Sequence, residues 1–133
     1  FGPLLTQAEY NWVQIDRNQA TGSRLDFKGG YAQASWALTG EVRPYTANRG
    51  LFGGIKPKGD VAWEVALRLS EMDLLDGTIN GGREQNASAS LNAYVGPSIK
   101  FSVNAIQVLD VDRGPKATDD KPRALMMRAQ FAY

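Results

Sequence analysis

The sequence predicts an all-β fold of antiparallel strands that run up and down in succession, and two observations predict it. Apolar and polar residues alternate with a period of two in six separate segments, which is the pattern of strands with one apolar and one polar face. Polar or glycine-rich stretches with turn chemistry separate these segments. The strands are predicted near residues 4–16, 27–41, 61–73, 84–95, 99–110 and 123–133.

The first three strands each place small and aromatic side chains on one face. Polar residues such as Gln7, Gln33 and Glu64 take the alternate positions, because successive strand side chains point to opposite faces. As a helix, residues 63–70 would scatter their large apolar side chains around the cylinder. The three apolar faces consist of Ala8, Tyr10 and Trp12; Ala32, Ala34, Trp36 and Leu38; and Trp63, Val65, Leu67 and Leu69.

The last three strands repeat the alternation, with polar residues such as Ser88, Lys100 and Arg128 opposite the apolar ones. In the fifth strand the pattern weakens at Ile106 and Gln107. The apolar faces consist of Ala87, Ala89, Leu91, Ala93 and Val95; Ile99, Phe101, Val103 and Ala105; and Leu125, Met127, Ala129, Phe131 and Tyr133.

The connections between strands differ in length. Gly96-Pro97-Ser98 forms a tight connection, whereas 17–26, 74–83 and 111–122 are longer and polar or glycine-rich. Asn80-Gly81-Gly82 is typical of a hairpin turn, and we expect it to lie within the longer loop. Residues 42–60 form an unusually long connection between the second and third strands.

The composition excludes several function classes. The 133 residues include 15 basic and 14 acidic side chains, a net charge of +1, and neither histidine nor cysteine. Thiolate or imidazole metal sites, a cysteine nucleophile and a Ser-His-Asp triad are therefore excluded. The near-zero net charge provides no field to attract nucleic acid, and no apolar run is long enough for a transmembrane helix. We expect one domain without a cofactor or a metal.

Strand length favours a membrane barrel. The predicted strands run about 11–14 residues, longer than the ~5–6 typical of globular proteins and sufficient for a tilted membrane strand. Aromatic residues lie toward the strand ends, as in the interfacial girdles of barrels. With Tyr133 as C-terminus, the last strand would end in the periplasm. Short turns would then lie on that side and long loops outside, except for the 42–60 connection.

Two alternatives remain open at this point. The first is a soluble β-barrel or β-sandwich that binds a ligand, with the apolar face as its core. The second is an enzyme that uses carboxylates alone, with Glu9, Glu41 and Glu64 as possible members of a pair. No pattern in the sequence places two of these carboxylates together.

Several motifs resemble the phosphate-selective porin O/P family. They are Tyr31-Ala32-Gln33 followed by Leu38-Thr39-Gly40-Glu41 and Arg43-Pro44-Tyr45, Phe52-Gly53-Gly54-Ile55-Lys56-Pro57, and Ala62-Trp63-Glu64. The resemblance covers most of the chain, including the long connection, and departs from the family at Asp60-Val61. It implies an outer-membrane porin of sixteen strands, usually trimeric, of which this chain supplies about six C-terminal strands. Partners would be outer-membrane lipid, the remainder of the barrel or partner chains that complete its wall, and two further copies in a homotrimer.

As a porin, the protein would perform no reaction and would let small solutes diffuse through a water-filled channel, with anions such as phosphate as candidates. The basic residues predicted to line the channel are Arg68, Lys100 and Arg128, and the acidic ones are Glu9, Glu41 and Glu64. Arginine suits phosphate-like anions because its planar fork donates two parallel hydrogen bonds. We expect Arg68 to pair with Glu64 on the wall rather than to form a dedicated binding site. The family's anion-selecting residues lie largely outside these strands, so none is assigned here.

Overall fold

The computed structural model of the chain describes residues 2–17, 24–77, 79–113 and 120–132. In these ranges the structure contains no helix long and apolar enough to cross a membrane. Its elements are the strands β1 (Leu4–Ile15), β2 (Leu25–Ala37), β3 (Tyr45–Thr46), β4 (Leu51–Phe52), β5 (Val61–Asp76), β6 (Ile79–Val95), β7 (Ile99–Asp112) and β8 (Arg123–Phe131).

Six of the strands form one antiparallel sheet in the order β1-β2-β5-β6-β7-β8, so that each pairs with the next long strand of the chain. The short strands β3 and β4 form a separate hairpin within the connection between β2 and β5, residues 38–60, which we call the 38–60 connection. The all-β, antiparallel, up-and-down architecture predicted from the sequence is confirmed.

The sheet has one apolar face, which carries Trp36, Leu67 and Phe101. These side chains remain 53%, 66% and 47% exposed, and no second sheet covers them in the part of the chain that the structure describes. A soluble β-sandwich would bury such residues in its core. The expectation of an apolar face that does not pack against another layer of the same chain therefore holds.

Strand β2 ends at Ala37, four residues before its predicted end. Gly40 has a φ of 84°, a backbone conformation that glycine adopts readily and other residues rarely do, and its N–H donates to the Ala37 carbonyl at 3.0 Å. Beyond the end of the β2–β5 ladder, the Trp63 N–H has no backbone carbonyl of β2 to bind, and it donates to the Thr39 hydroxyl at 3.1 Å instead. The chain turns off the sheet here and begins the 38–60 connection.

The predicted loop at 74–83 is largely strand. The β5–β6 ladder continues to the pair Asp76 and Ile79, and the chain reverses at Gly77, which has a φ of 56°. Asn80-Gly81-Gly82 lies inside β6, so the expectation that it lies within a long loop is wrong. Alternation is weak in this segment, and a register shift between Asp73 and Leu75 explains why period-two analysis missed the strand extension.

A β-bulge interrupts the β6–β7 ladder. Gln85 pairs with Asp110 but Asn86 pairs with Val108, which leaves Leu109 as the extra residue and reverses the side-chain alternation beyond it. Just before the bulge, the Gln107 side chain donates to the backbone carbonyl of Val108 at 2.7 Å. This bond satisfies a polar group on the apolar face, where the sequence pattern weakens. Tyr133, at the end of the last predicted strand, lies outside the described residues.

Three hydrogen bonds close one end of the sheet. They join the Ala37 N–H to the Pro3 carbonyl, the Gly96 N–H to the Asp60 carbonyl and the Ala132 N–H to the Ser98 carbonyl, at 2.9, 3.2 and 2.8 Å. The 38–60 connection therefore leaves and re-enters the sheet at the same end as the tight Gly96-Pro97-Ser98 turn. It contributes the buried Ile55, which packs with Ala37 and Ala62.

Candidate channel-lining site

The second face of the sheet, the polar face, is built by residues that lie side by side across the ladders. Arg68 pairs with Gln33 on β2 and with Ser88 on β6, and Ser102 pairs with Asn92 and Arg128. Directly opposite residues in an antiparallel pair project from the same face. Arg68, Lys100, Arg128, Glu9 and Glu64 therefore all belong to the polar face.

The 38–60 connection folds over the polar face. Its hairpin closes through a hydrogen bond from the Gly53 N–H to the Pro44 carbonyl at 2.7 Å, and the rings of Tyr45 and Phe52 contact each other with centroids 4.9 Å apart. A cavity of about 720 Å³ lies between hairpin and sheet. Its lining includes Arg43, Tyr45 and Phe52 from the connection and Arg68, Lys100 and Asn104 from the sheet.

Glu64 fixes the 38–60 connection to the sheet. Its carboxylate is only 2% exposed and accepts hydrogen bonds from the Arg43 guanidinium, from Asn92 Nδ2 at 3.1 Å and from the Tyr94 hydroxyl at 2.8 Å. Arg43 also donates to the Gly53 carbonyl at 3.1 Å. One guanidinium thus joins the hairpin to the sheet.

The electrostatics of Arg43 follow from this arrangement. Partial burial disfavours its charged form, but the hydrogen bond that Arg43 donates to Glu64 and the negative charge of Glu64 outweigh burial, so the pKa of Arg43 lies above its ordinary value. Arg43 is therefore positively charged at any physiological pH. An enclosed ion pair with further donors on the carboxylate holds a defined geometry, and removal of one partner is costly.

Glu41 does not stand on the polar face as expected from a strand that reaches residue 41. It lies in the connection, 3% exposed, where it accepts hydrogen bonds from the Thr39 hydroxyl and, at 3.4 Å, from the Lys58 N–H. The Thr39 hydroxyl holds the pKa of Glu41 below its ordinary value. The reason for the error is the early end of β2 at the Gly40 turn.

Arg68 does not pair with Glu64, contrary to the expected pair, since four residues along a strand separate their Cα atoms by ~13 Å, and Glu64 binds Arg43. Instead the Arg68 guanidinium lies over the Tyr31 ring, 4.0 Å from its centroid. The Tyr31 hydroxyl donates to Glu9 at 3.2 Å and accepts from Gln7 at 2.9 Å. Tyr31 therefore separates Arg68 from Glu9.

Lys100 repeats this arrangement on the neighbouring strands. Its ammonium lies 4.9 Å from the centroid of the Tyr94 ring, and the Tyr94 hydroxyl is bound to Glu64. Arg128 lies nearby on exposed β8, opposite Ser102. The structure thus brings Lys100 and Arg128 toward one end of the polar face and Arg68 and Glu9 toward its middle and other end.

Sequence reasoning missed Arg43, Tyr31 and Tyr94. Arg43 belongs to a motif shared with the resembled family, but no local pattern indicates that a loop arginine reaches a strand carboxylate 21 positions away. Tyr31 belongs to the same series of alternate β2 positions as the polar Gln33. An aromatic residue in this polar series was the sequence signal that could have identified Tyr31.

A sheet with one exposed apolar face and one charged face, covered by a folded connection, is the wall of a transmembrane β-barrel of the porin type. The model of the family "Phosphate-selective porin O and P" matches residues 1–133. Over 143 residues the chain is 24% identical to Porin O of Pseudomonas aeruginosa, an alignment covering 99% of this chain and 33% of that protein. The chain belongs to the phosphate-selective porin O and P family, and it spans one third of the length of the curated relative it matches.

Proposed function

We propose that this chain forms part of the wall of a porin in the bacterial outer membrane, through which small hydrophilic solutes diffuse passively. The observation that carries the proposal is the opposite chemistry of the two faces. Trp36, Leu67 and Phe101 are exposed on one side, while Arg68 and Lys100 border a polar cavity on the other. In a porin the first side contacts lipid and the second contacts water.

The height of the apolar face supports membrane insertion. On β5 the outward positions from Val61 to Leu69 are all apolar, and the next outward residue is Glu71. Eight residue steps at ~3.3 Å, tilted by ~40°, give a band of ~20 Å, near the ~25 Å of outer-membrane barrels. Tyr10 and Trp12 lie at the upper border of this band, where barrel proteins place their aromatic girdle.

We further propose that other strands complete the barrel. In the described sheet, β1 and β8 are edge strands, and in lipid their unpaired N–H and C=O groups would each cost several kcal/mol. Single-chain outer-membrane barrels begin at about eight strands, and the chain covers one third of Porin O. The missing wall is the remainder of a larger barrel of about sixteen strands, and three such barrels form a homotrimer.

The charge of the polar face favours anions. The charge of Glu64 is balanced by Arg43, and Glu41 is enclosed within the connection. On this face Arg68, Lys100 and Arg128 then stand against Glu9 and Glu84, which lies beside Asn86 on β6, so three positive charges face two negative ones. Fixed cations along a narrow pore raise the local concentration of anions, and phosphate is a candidate among them. Because donors already hold both buried glutamates, we propose no catalytic role for them.

A planar-bilayer measurement on the complete barrel tests the proposal. Reversal potentials in a chloride gradient should show anion preference, and Arg128→Glu or Lys100→Glu should shift them toward cations because each reverses one charge of the channel wall. Lys121→Glu is the matched control, since Lys121 pairs with Asp110 at 3.6 Å near the loop end of the sheet. An absence of ion-conducting channels, or equal shifts for the control, would contradict it.

A further inference from the structure

A groove runs along β2 on the apolar face of the sheet. Two cavities lie in it, one of about 590 Å³ that reaches Lys28 and one of about 610 Å³ that reaches Ala34. Ala8 and Leu69 line both cavities, so the two join end to end, and we call them together the β2 groove. Its floor consists of the small residues at alternate positions of β2, which are Gly30, Ala32 and Ala34. Six residue steps of ~3.3 Å from Lys28 to Ala34 make the groove ~20 Å long.

The neighbouring strands form the two sides of the β2 groove. On β5, Leu67 and Leu69 stand opposite the two alanines of the floor. On β1, Tyr10 stands opposite Gly30. A Cβ atom on Gly30 would lie 3.2 Å from the Tyr10 ring, so this ring rests against the edge of the floor. Strands β1 and β5 are two strand spacings apart, ~10 Å, which leaves room for an extended hydrocarbon chain between their side chains.

Lys28 lies at the upper end of the β2 groove. It pairs with Asp73 of β5, four residues beyond Leu69, the last apolar outward position of that strand. Four steps of ~3.3 Å along a strand tilted by ~40° raise this row ~10 Å above Leu69. The headgroup layer of a bilayer begins where its hydrocarbon ends. In an inserted barrel, the Lys28 ammonium therefore stands among lipid headgroups and the floor below it faces acyl chains.

The Lys28 ammonium is not neutralised by the protein. Lys28 is exposed and forms no ion pair among the described residues. Two carboxylates line this end of the groove, and both have other donors: Asp73 accepts a hydrogen bond from the Leu75 N–H at 3.0 Å, and Glu71 binds Arg83 at 2.7 Å. An ammonium group has three N–H donors, and here they can bind the oxygens of a phosphate group.

The chemistry of the β2 groove fits one kind of occupant. A phospholipid carries a phosphate group at one end and an apolar chain along the rest, which is the order of Lys28 and the floor of the groove. A free phosphate ion would contact Lys28 and leave the apolar floor uncovered. A second copy of this chain packed on the groove would enclose the Lys28 charge, which is costly without a carboxylate partner.

We propose that the β2 groove binds one membrane phospholipid, with a phosphate oxygen on the Lys28 ammonium and one acyl chain over Gly30, Ala32 and Ala34. Trp12, which stands opposite Lys28 on β1 and is 59% exposed, flanks the headgroup as aromatic residues do at membrane interfaces. The inference rests on the proposed function, because this face contacts lipid only in a membrane-inserted barrel. It concerns the outer surface of the barrel and not the channel.

Native mass spectrometry of the complete, detergent-solubilised barrel, titrated with dioleoylphosphatidylglycerol, tests the inference. Lys28→Gln should raise the apparent Kd of the first bound lipid about threefold to tenfold, the factor expected for one charge-assisted contact at an exposed site. Ala32→Leu fills the floor and should raise this Kd by a similar factor, while the surface stays apolar and the barrel stays folded. Dioleoylglycerol, which lacks the phosphate group, should bind more weakly and should not respond to Lys28→Gln.

Two matched controls should leave the Kd unchanged. Lys121→Gln removes the same charge from the same end of the sheet, where Lys121 pairs with Asp110 at 3.6 Å. Ala105→Leu makes the same enlargement on the apolar face of β7, outside the groove.

Three results would overturn the inference. The first is an unchanged Kd in Lys28→Gln or in Ala32→Leu. The second is displacement of the lipid by inorganic phosphate, which would assign Lys28 to free anions. The third is a change of oligomeric mass in both variants at constant lipid stoichiometry, which would show that a second copy covers the groove. Chloride conductance in planar bilayers is read separately: absence of current through the unmodified barrel would overturn the channel function, whereas the Kd values decide the lipid site.

Discussion

Replacement of Glu64 by glutamine should release the 38–60 connection from the wall. Glu64 and Arg43 have side-chain exposures of 3% and 21%, and Asn92 and Tyr94 donate to the same carboxylate. Removal of one partner from a buried pair costs about 3–5 kcal/mol. Arg43 keeps some solvent and its bond to Gly53, so we expect a loss of about 2–4 kcal/mol in the free energy of local opening.

Hydrogen exchange of the segment 42–60 in the folded, detergent-solubilised barrel measures this loss. At about 1.4 kcal/mol for each tenfold change, the protected amide of Gly53 should exchange about 30-fold to 1,000-fold faster in Glu64→Gln. Exchange in β6 and β7 should remain unchanged because the opening is local.

Two further variants test the reasoning. Glu71→Gln removes an exposed pair with Arg83, which has side-chain exposures of 45% and 41%, and should change exchange of the connection very little. The double variant Arg43→Met with Glu64→Leu leaves no uncompensated charge and should recover part of the protection. If Glu64→Gln protects Gly53 as well as the unmodified protein does, the ion pair does not hold the connection.

Three other results are expected. Leu67→Arg places a charge on the apolar face, which we propose contacts lipid, and should destabilise the barrel by about 2–4 kcal/mol in denaturant unfolding, whereas Ser88→Arg on the polar face should cost much less. Gly40→Ala forces a side chain into a positive φ and should lower stability by about 1–2 kcal/mol, while Gly54→Ala, which meets no atom within 4 Å, should not. Because the pKa of Glu41 is lowered in the folded protein, its ionised carboxylate stabilises the connection at pH values above its ordinary pKa of 4.5. This stabilisation is lost as pH falls through the lower folded value. Acid should therefore lower the protection factor of amides in the connection, which is their exchange rate relative to that of an unfolded peptide at the same pH, and Glu41→Gln should show a weaker pH dependence of this protection factor.

The strands were predictable because their signal is local. Each of the six long strands carries its own alternation, and the ladders join strands that follow one another along the chain. The pairing of the strands therefore follows from their order in the sequence. Errors arose where the alternation stops. β2 ends at a glycine turn within a polar stretch, and the β5–β6 hairpin continues through an irregular ladder that hides the period.

The site was less predictable because its contacts are not local. The face of Arg68 follows from strand parity, but the partner of Glu64 is Arg43, and the position of Arg43 is decided by how the connection folds. The burial of Glu41 has the same origin. Because β2 ends four residues earlier than predicted, Glu41 lies inside the connection and not on the polar face of the sheet.

The 38–60 connection begins and ends on neighbouring strands whose own ladder is complete without it, from Lys28 opposite Asp73 to Ala37 opposite Glu64. Insertions or deletions in this segment therefore leave the number of strands and their register untouched, at an entropic cost that grows only slowly with length. If the chain lines a pore, as we propose, then changes confined to this segment alter the width of the pore while the barrel around it stays constant.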